Sequence, residues 1–203
     1  MPSFLVKDSG GGDFKQLEPG TYAARCIAII DLGTQKTEWQ GKELKRRQAM
    51  LMWEVPSELI ETKDGEKPMT ISKFYTVSLS EKSNLRPDLE AWRGKPFTPE
   101  ELLGFDLNNV LNKGCLLSVV HNEKKKARVA SVSKLMKGMD VPPAAHQPYI
   151  FSLDQYDGTV FLALPQGIQK IIAQSDEYKA AFAPPGERGH DGIGADAGDD
   201  IPF

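Results

Sequence analysis

Side chains suited to catalysis are few and scattered in this sequence. Of 203 residues, only two are cysteine and three are histidine. Cys26 and Cys115 stand in separate apolar runs, without C-x-x-C spacing and without a histidine at ligand spacing. We interpret both as buried free thiols of a reducing compartment, in preference to a disulfide or a metal site. His121, His146 and His190 are too far apart along the chain to predict a metal cluster or a histidine base, so we expect no cofactor and no catalytic residue.

Long apolar runs and internal repeats are also absent. No stretch approaches 18 apolar residues, and the opening MPSFLVKDSGGGDF lacks the apolar region of a signal peptide. These absences predict a soluble cytoplasmic protein without a membrane partner. An apolar content of 40% provides ample material for one globular domain with short additions.

The acidic charge is concentrated in the last twenty residues. The whole chain carries 25 basic and 28 acidic side chains. Residues 184–203 hold five of the acidic side chains and one of the basic ones, a net charge of −4. The remaining body therefore has a net charge of about +1. A near-neutral body with an acidic tail does not exclude nucleic acid as a partner.

Fragments of two enzyme motifs occur in the chain. Glu54 followed by Glu61-Thr62-Lys63 resembles the carboxylate and lysine set of a metal-dependent nuclease, although a charged turn explains the same residues. Ser9 to Gly12 is glycine-rich but lacks the Gly-Lys pair and helix of a phosphate-binding loop. We therefore expect a protein that is not an enzyme.

Three strands are predicted after Pro19-Gly20. The first covers residues 21–35, the second places Ala49, Leu51, Trp53 and Val55 on one face, and the third covers residues 69–79. Trp53 is predicted to be a core residue because its neighbours on that face are apolar. Asp64-Gly65 predicts a hairpin turn between the second and third strands.

A helical section and two further strands come next. Ser83 is a candidate N-cap before Leu85, Leu89 and Trp92, and Thr98-Pro99 with Glu101 predicts a capping box. Strands are expected over residues 115–121 and 127–135, joined by a lysine-rich hairpin. Three strands, a helical insertion and two strands is the element order of the OB-fold, a five-stranded barrel that binds oligonucleotides. An antiparallel sheet with inserted helices gives the same order.

These patterns divide the chain into four parts. Residues 1–19 are expected to form a flexible N-terminal arm or an edge segment, and residues 20–140 the OB-fold domain for single-stranded DNA. Residues 141–183 are expected to add a hairpin around Asp157-Gly158 and one helix, both packed on the barrel. Residues 184–203 have no periodicity and are predicted to be a disordered acidic tail. The fold class is thus mainly β with minor α.

Basic residues are grouped in the two loops through which an OB-fold binds single strands. These are the loop between the first two predicted strands and the loop between the last two. Cations that neutralise phosphates release counterions, and exposed rings stack on bases. The alternative is a solvated hairpin tip and an ordinary core. For Arg93 a structural role in the Trp92–Phe97 turn is the favoured interpretation, and a one-residue change of register would exchange Phe74 for Tyr75 as the stacking ring. The DNA-binding candidates are Lys36, Trp39, Lys42, Lys45, Arg46, Arg47, Lys73, Phe74, Tyr75, Arg93, Lys124, Lys125, Lys126 and Arg128.

The sequence DDIPF at positions 199–203 places apolar side chains beside aspartates after a run without core-forming residues. It resembles the acidic tip of bacterial single-stranded DNA-binding proteins. In that family the tip docks on replication, recombination and repair proteins. The resemblance implies that Asp199, Asp200, Ile201, Pro202 and Phe203 bind partner proteins. It covers about ten residues and does not extend to the N-terminal pattern of those proteins.

Residues 82–102 are similar to segments of small phage-encoded proteins of replication modules. Together the two resemblances imply a phage single-stranded DNA-binding protein in the cytoplasm of the bacterial host. Its tail would recruit host replication proteins. The alternative is an interaction protein that occupies host replication factors through the tip without binding DNA. The sequence leaves the oligomeric state, monomer or homodimer, open.

Overall fold

Three long strands make up the first half of the fold. The structure is a computed structural model that describes residues 15–39, 41–63 and 65–182. β1 (Gly20–Trp39), β2 (Lys42–Thr62) and β3 (Gly65–Thr76) pair as an antiparallel meander. All three are longer than predicted. Residues 36–39, 42 and 43, expected in the loop between the first two strands, continue the ladder, with Lys36 opposite Lys45 at the expected start of the second strand. In both segments successive side chains point to opposite faces, as in any β-strand, and the two segments pair as a two-stranded ribbon, which we call the β1–β2 ribbon.

Two more antiparallel strands and one short parallel strand complete the sheet. β4 (Gly114–His121) and β5 (Ala127–Ser133) extend it beyond β1, so the strand order is β3-β2-β1-β4-β5. β6 (Tyr149–Phe151) pairs with β1 in parallel. The mainly β class is confirmed. The closed barrel is not, because in the described part of the chain no ladder joins the edge strands β3 and β5.

The seam between β3 and β5 is bridged by side chains. The Lys73 ammonium donates to the Ala130 carbonyl at 3.1 Å, and the Ala127 amide donates to the Gln16 side chain at 3.0 Å. Leu17 beside it is 3% exposed. Residues 15–17 are therefore anchored against the seam, and the flexible arm predicted for 1–19 does not describe them. The first fourteen residues lie outside the described part of the chain.

The inner face of the sheet carries the larger core. α1 (Leu85–Arg93) turns Leu85, Leu89 and Trp92 inward at the predicted helical spacing, and Trp92 packs against the buried Trp53 with ring centroids 6.1 Å apart. α2 (Pro99–Leu103) begins with the predicted capping box of Thr98 and Glu101. α1 starts one residue later than predicted, with Asn84 in place of Ser83 at the N-cap. A 3-10 turn at Leu107–Val110 leads into β4.

The outer face of β1 and β2 is covered by three short helices. These are α3 (Gly158–Ala163), α4 (Gln166–Ala173) and α5 (Asp176–Phe182). Their apolar side chains and those of β6 enclose Ile30, Leu32 and Met50 in a second core. The final 21 residues, including the predicted disordered tail, lie outside the described residues.

The hairpin predicted around Asp157-Gly158 is wrong, and so is the single helix after it. The Asp157 carboxylate accepts hydrogen bonds from the amides of Thr159 at 2.8 Å and Val160 at 3.2 Å, so it caps α3. The later helix is divided at Ser175, whose Cβ would lie 2.5 Å from a Cβ added to Gly33. Gly33 has φ +70° at a bulge of β1, and this geometry lets the α4–α5 turn approach the strand.

Residues 141–146 are tied to the sheet by two charged side chains. The Arg25 guanidinium donates to the carbonyls of Asn112, Val141 and Pro142. The Glu54 carboxylate accepts from the amides of Ala145 at 2.9 Å and His146 at 3.0 Å, and lies 2.8 Å from His146 Nδ1. Glu54 is 0% exposed. This carboxylate, the first member of the nuclease-like set, therefore has its oxygens occupied by donors of the protein.

Candidate nucleic-acid interface

The outward face of β3 is only partly covered. Met69, Ile71 and Tyr75 point into the core, so the alternate residues Thr70, Ser72, Phe74 and Thr76 face outward. Phe74 is 42% exposed. The row from residue 70 to residue 76 is about 20 Å long at the rise of a β-strand. β3 has no strand hydrogen-bonded to it on the side away from β2, where it faces β5 across the seam.

A cavity of about 610 Å³ lies at the end of this row. Phe74 and Val77 supply apolar surface, and Arg46 and Lys82 supply positive charge. Both cations are exposed, and neither has an ion-pair partner among the residues that the structure describes. Neutral hydrogen-bonding groups complete the wall; they belong to Gln48, Thr76, Ser78, Ser80, Ser83 and Asn84.

Serine side chains fold the loop that brings Lys82 to this cavity. The Ser83 hydroxyl donates to the Ser78 carbonyl at 2.6 Å, and the Ser80 amide donates to the Ser78 hydroxyl at 3.2 Å. The Ser83 amide also donates to the Ser80 carbonyl at 3.0 Å. After the Val77 amide has donated to the Arg47 carbonyl at 2.9 Å, these short-range bonds replace strand pairing. They make the loop a compact wall between β3 and α1.

A second basic group lies toward the other end of the row. Arg128 lines a cavity of about 250 Å³ together with Lys15, Thr70 and Ser72. The nearby β4–β5 turn is held by Asn122, whose side-chain oxygen accepts from the amides of Lys124 at 3.0 Å and Lys126 at 2.9 Å. The side chains of Lys124, Lys125 and Lys126 are all exposed.

We call this surface the β3 groove and define it by Arg46, Phe74, Lys82, Arg128 and the outward hydroxyls of β3. An exposed ring near its centre lies between cations at both ends. Such an arrangement binds a flexible polyanion that carries flat groups, because the cations meet the charge and the ring offers a stacking surface. Lys82 was missed by the sequence analysis, since it stands in a polar stretch without periodicity.

Two predicted cations lie in exposed ion pairs on the β1–β2 ribbon. Lys36 is 3.1 Å from Glu43, and Lys45 is 2.8 Å from Asp176 of α5. The hydrogen bond to Asp176 raises the pKa of Lys45. Exposed pairs of this kind contribute little stability, so a phosphate competes for the lysine at low cost. Trp39 and Lys42 are also predicted to bind DNA, and their side chains are not among those that the structure describes.

Arg47 borders the Phe74 cavity, but its guanidinium is already engaged. It lies 2.5 Å from Asp31 and 2.9 Å from Asp154. The hydrogen bond to Asp31 raises the pKa of Arg47 further above its ordinary value. Asp31 also accepts from the Leu153 amide at 3.2 Å. Arg47 thus attaches the segment after β6 to the sheet, which corrects its prediction as a DNA-binding residue.

Tyr75 belongs to the core, and the Lys73 side chain beside it is 20% exposed. Asp88 of α1 accepts from the Lys73 ammonium and from the Tyr75 hydroxyl, both at 2.7 Å. Tyr75 is 3% exposed, and burial together with the Asp88 carboxylate raises its pKa. A buried ring cannot stack on a base without unfolding its surroundings. The contacts of Lys73 and Tyr75 therefore argue against both as DNA-binding candidates, and Phe74 is the exposed ring of β3.

Replacing Asp88 by alanine is expected to destabilise the fold by about 2–3 kcal/mol, because a largely buried ammonium and a phenol lose their acceptor. Urea unfolding followed by tryptophan fluorescence measures the loss. Adding Lys73→Met to the alanine variant removes the unpaired charge and is expected to recover part of the stability. An Asp88→Ala protein as stable as the natural one would contradict the buried pair.

Arg93 is also structural, in agreement with the favoured interpretation. Its guanidinium forms an ion pair with Glu101 and lies 4.3 Å from the ring centroid of Phe97 and 5.1 Å from that of Phe105. Cation–π contacts of this kind join α1 to the loop around α2. Arg93 is therefore not available to the β3 groove.

The described residues give no support to a metal site, a reactive thiol or a membrane-spanning helix. The described residues contain no group of three or more His, Cys, Asp or Glu side chains placed to hold a metal ion. Burial raises the pKa of Cys26 to about 12, so its thiol stays protonated. In the same part of the chain no helix has the length and apolarity needed to cross a bilayer. The partner-binding candidates Asp199 to Phe203 lie outside the described residues. No family model and no curated protein matches this chain.

Proposed function

We propose that this protein binds single-stranded DNA without sequence preference and without catalysis. The observation that carries the proposal is Phe74, exposed on β3 between Arg46 and Lys82 at one end and Arg128 at the other. An aromatic side chain with 42% of its surface exposed beside exposed cations is a stacking platform next to phosphate-binding groups.

The strand arrangement supports an OB-type architecture. The antiparallel order β3-β2-β1-β4-β5, with α1 between β3 and β4 in the chain, is that of an OB-fold opened between β3 and β5. The Lys73 to Ala130 hydrogen bond keeps these two edges close. In OB-folds, oligonucleotides lie across the strand 2 and 3 face, where the β3 groove lies.

Single strands fit this groove better than a duplex. A base stacks on Phe74 only when its face is free, and bases in a duplex are already stacked. The hydroxyl groups of the groove accept and donate hydrogen bonds without one fixed pattern, which favours tolerance of sequence. The described part of the chain has no long exposed helix for the major groove, and on the β1–β2 ribbon Lys36 and Lys45 are held in ion pairs.

The wider biological role is inferred from the resemblance of residues 199–203. We propose that the body protects single-stranded DNA during phage replication and recombination in the cytoplasm of the bacterial host. The acidic tip then brings host replication, recombination or repair proteins to that DNA. Apolar side chains flanked by aspartates suit a pocket with a basic rim.

A second candidate is an interaction protein that binds host factors and no DNA. The two ion pairs of Arg47 favour it, because they engage a cation that was expected to meet phosphate. The body also has a net charge of only about +1. The two functions differ in one measurable property, the affinity for oligonucleotides.

Titration of fluorescently labelled oligo-dT with the full chain tests the proposal. Three phosphate contacts, by Arg46, Lys82 and Arg128, predict an affinity that falls about 15- to 20-fold between 50 and 200 mM salt. Fluorescence anisotropy measures the affinity, and a duplex of equal length is the control, expected to bind more weakly. Absence of oligo-dT binding at 50 mM salt would favour the second candidate. Cleavage of the oligonucleotide with Mg²⁺ would instead indicate a nuclease.

A further inference from the structure

A cavity of about 800 Å³ lies away from the β3 groove and shares no lining residue with it. It is formed by the end of α1, the start of β4 and the segment after β5. Trp92, Val110, Leu135, Met136 and Met139 give it an apolar lining. Met136 is 62% exposed, so this lining is open to a ligand. We call it the α1 pocket.

The rim of the α1 pocket is basic. Lys113, Lys134 and Lys137 surround it, and within the described ranges none has an ion-pair partner. Arg93 also lines it but is held by Glu101. The carboxylate of Asp140, next to Met139, accepts a hydrogen bond from the Val141 amide at 2.8 Å. The pocket therefore presents three exposed ammonium groups around apolar side chains.

This combination favours an acidic peptide with apolar side chains over a nucleic acid. The Trp92 ring is 6% exposed and its indole nitrogen donates to the Gly114 carbonyl at 2.8 Å, so it offers no stacking face. Flexible methionine side chains adapt to the shape of a bound peptide, as they do in other docking surfaces. Lysines at the rim then meet carboxylates in the same peptide.

We propose that the α1 pocket binds residues 199–203 of the same chain, with Ile201 and Phe203 on the apolar lining and Asp199 and Asp200 at the lysines. The charges are complementary, since residues 184–203 carry a net charge of −4. A segment with the length of residues 183–198 spans at most roughly 50 Å. A domain of this size has a radius of gyration of about 15 Å, so a segment of this length spans a distance comparable to the width of the domain.

Attachment to the same chain makes weak docking sufficient. A tether of this length gives an effective concentration on the order of millimolar. Docking in the α1 pocket withholds the tip from other proteins and leaves the β3 groove open. It does not depend on DNA binding, so either proposal can fail without the other.

Photo-cross-linking in the full chain tests the proposal. Phe203 is replaced by p-benzoylphenylalanine, the protein is irradiated, and cross-linked peptides are identified by mass spectrometry. The expected products join position 203 to Met136 or Met139 of the same chain. Their yield is expected to fall about tenfold in the Lys134→Glu and Lys137→Glu double variant. Adding Asp199→Lys and Asp200→Lys to that variant restores the attraction and is expected to recover the yield.

The matched control is Arg46→Glu, which reverses a charge in the β3 groove and is expected to leave the yield unchanged. Cross-links to Phe74 or its neighbours would overturn the proposal in favour of the groove. Cross-links between two chains that increase with protein concentration would also overturn it and assign the pocket to a second copy. Circular dichroism of each variant shows that the fold is retained. If the folded chain with p-benzoylphenylalanine at position 203 and no other substitution gave no cross-links, docking would be refuted.

Discussion

A chain with Phe74, Arg46 and Lys82 all replaced by alanine is expected to bind oligo-dT at least about 100-fold more weakly than the natural chain. Loss of one stacking ring costs about 1–3 kcal/mol, and each phosphate contact adds a further fraction of that. The ring and the cations also have distinguishable effects. Phe74→Ala alone is expected to lower affinity equally at all salt concentrations, because stacking releases no counterions. The two charge substitutions are expected to reduce the salt slope by about 1.4.

The controls match the chemistry of these substitutions at sites outside the groove. Leu103 on α2 is 91% exposed, so Leu103→Ala removes an exposed apolar side chain elsewhere. Lys170→Ala removes an exposed cation from α4. Both variants are expected to bind oligo-dT as the natural chain does. Equal losses in the controls and in the groove variants would show that binding depends on overall charge or stability and not on the β3 groove.

Replacing Glu54 by alanine is expected to lower the free energy of unfolding by about 4–6 kcal/mol. The substitution leaves the amides of Ala145 and His146 and one imidazole nitrogen without their buried acceptor, at about 1–3 kcal/mol for each of these part-buried hydrogen bonds to a charged group. A typical domain has only about 5–15 kcal/mol of stability, so the variant is expected to be close to unfolding. Urea titration at 25 °C measures the loss, and binding of oligo-dT reports whether the folded fraction keeps its groove.

Two milder variants separate the contacts of Glu54. Glu54→Gln keeps one acceptor oxygen and is expected to lose less stability than Glu54→Ala. His146→Ala removes only the side-chain partner, whose ring is partly exposed, and is expected to cost about 1 kcal/mol. If His146→Ala were as damaging as Glu54→Ala, the imidazole and not the two backbone amides would be the main donor to the carboxylate.

Local patterns in the sequence predicted most of the elements, because strands and capped helices depend on neighbouring residues. Thr98 and Glu101 form the capping box that their spacing predicts, and Leu85, Leu89 and Trp92 lie on the buried side of α1. The Asp157-Gly158 pair predicts a hairpin turn, but the same two residues also serve as the start of a helix, and in the structure they begin α3. Which of the two forms depends on the surface that the following residues can pack against. Here the apolar side of α3 packs on the outer face of the sheet.

The candidate site was predicted less well, because charge alone does not say where a side chain points. Arg46 and Arg47 are neighbours in sequence, but side chains alternate along β2. Arg46 is therefore exposed, whereas Arg47 forms an ion pair with Asp31. Lys73 and Tyr75 looked like surface residues of a strand until Asp88, 13 residues beyond Tyr75, supplied a buried acceptor. Such pairings join residues distant in sequence, and a single sequence carries no signal for them.

β1 is the strand on which the whole architecture depends, since it pairs with β2, β4 and β6. Its outer face is covered by helices that come from the last third of the described chain. Residues 141–182 therefore share a core with β1 and β2, and we expect the two parts to unfold together. A fragment cut at residue 140 would expose Ile30, Leu32 and Met50 to water, so we expect it to aggregate and expect any duplication of the sheet in evolution to include residues 141–182.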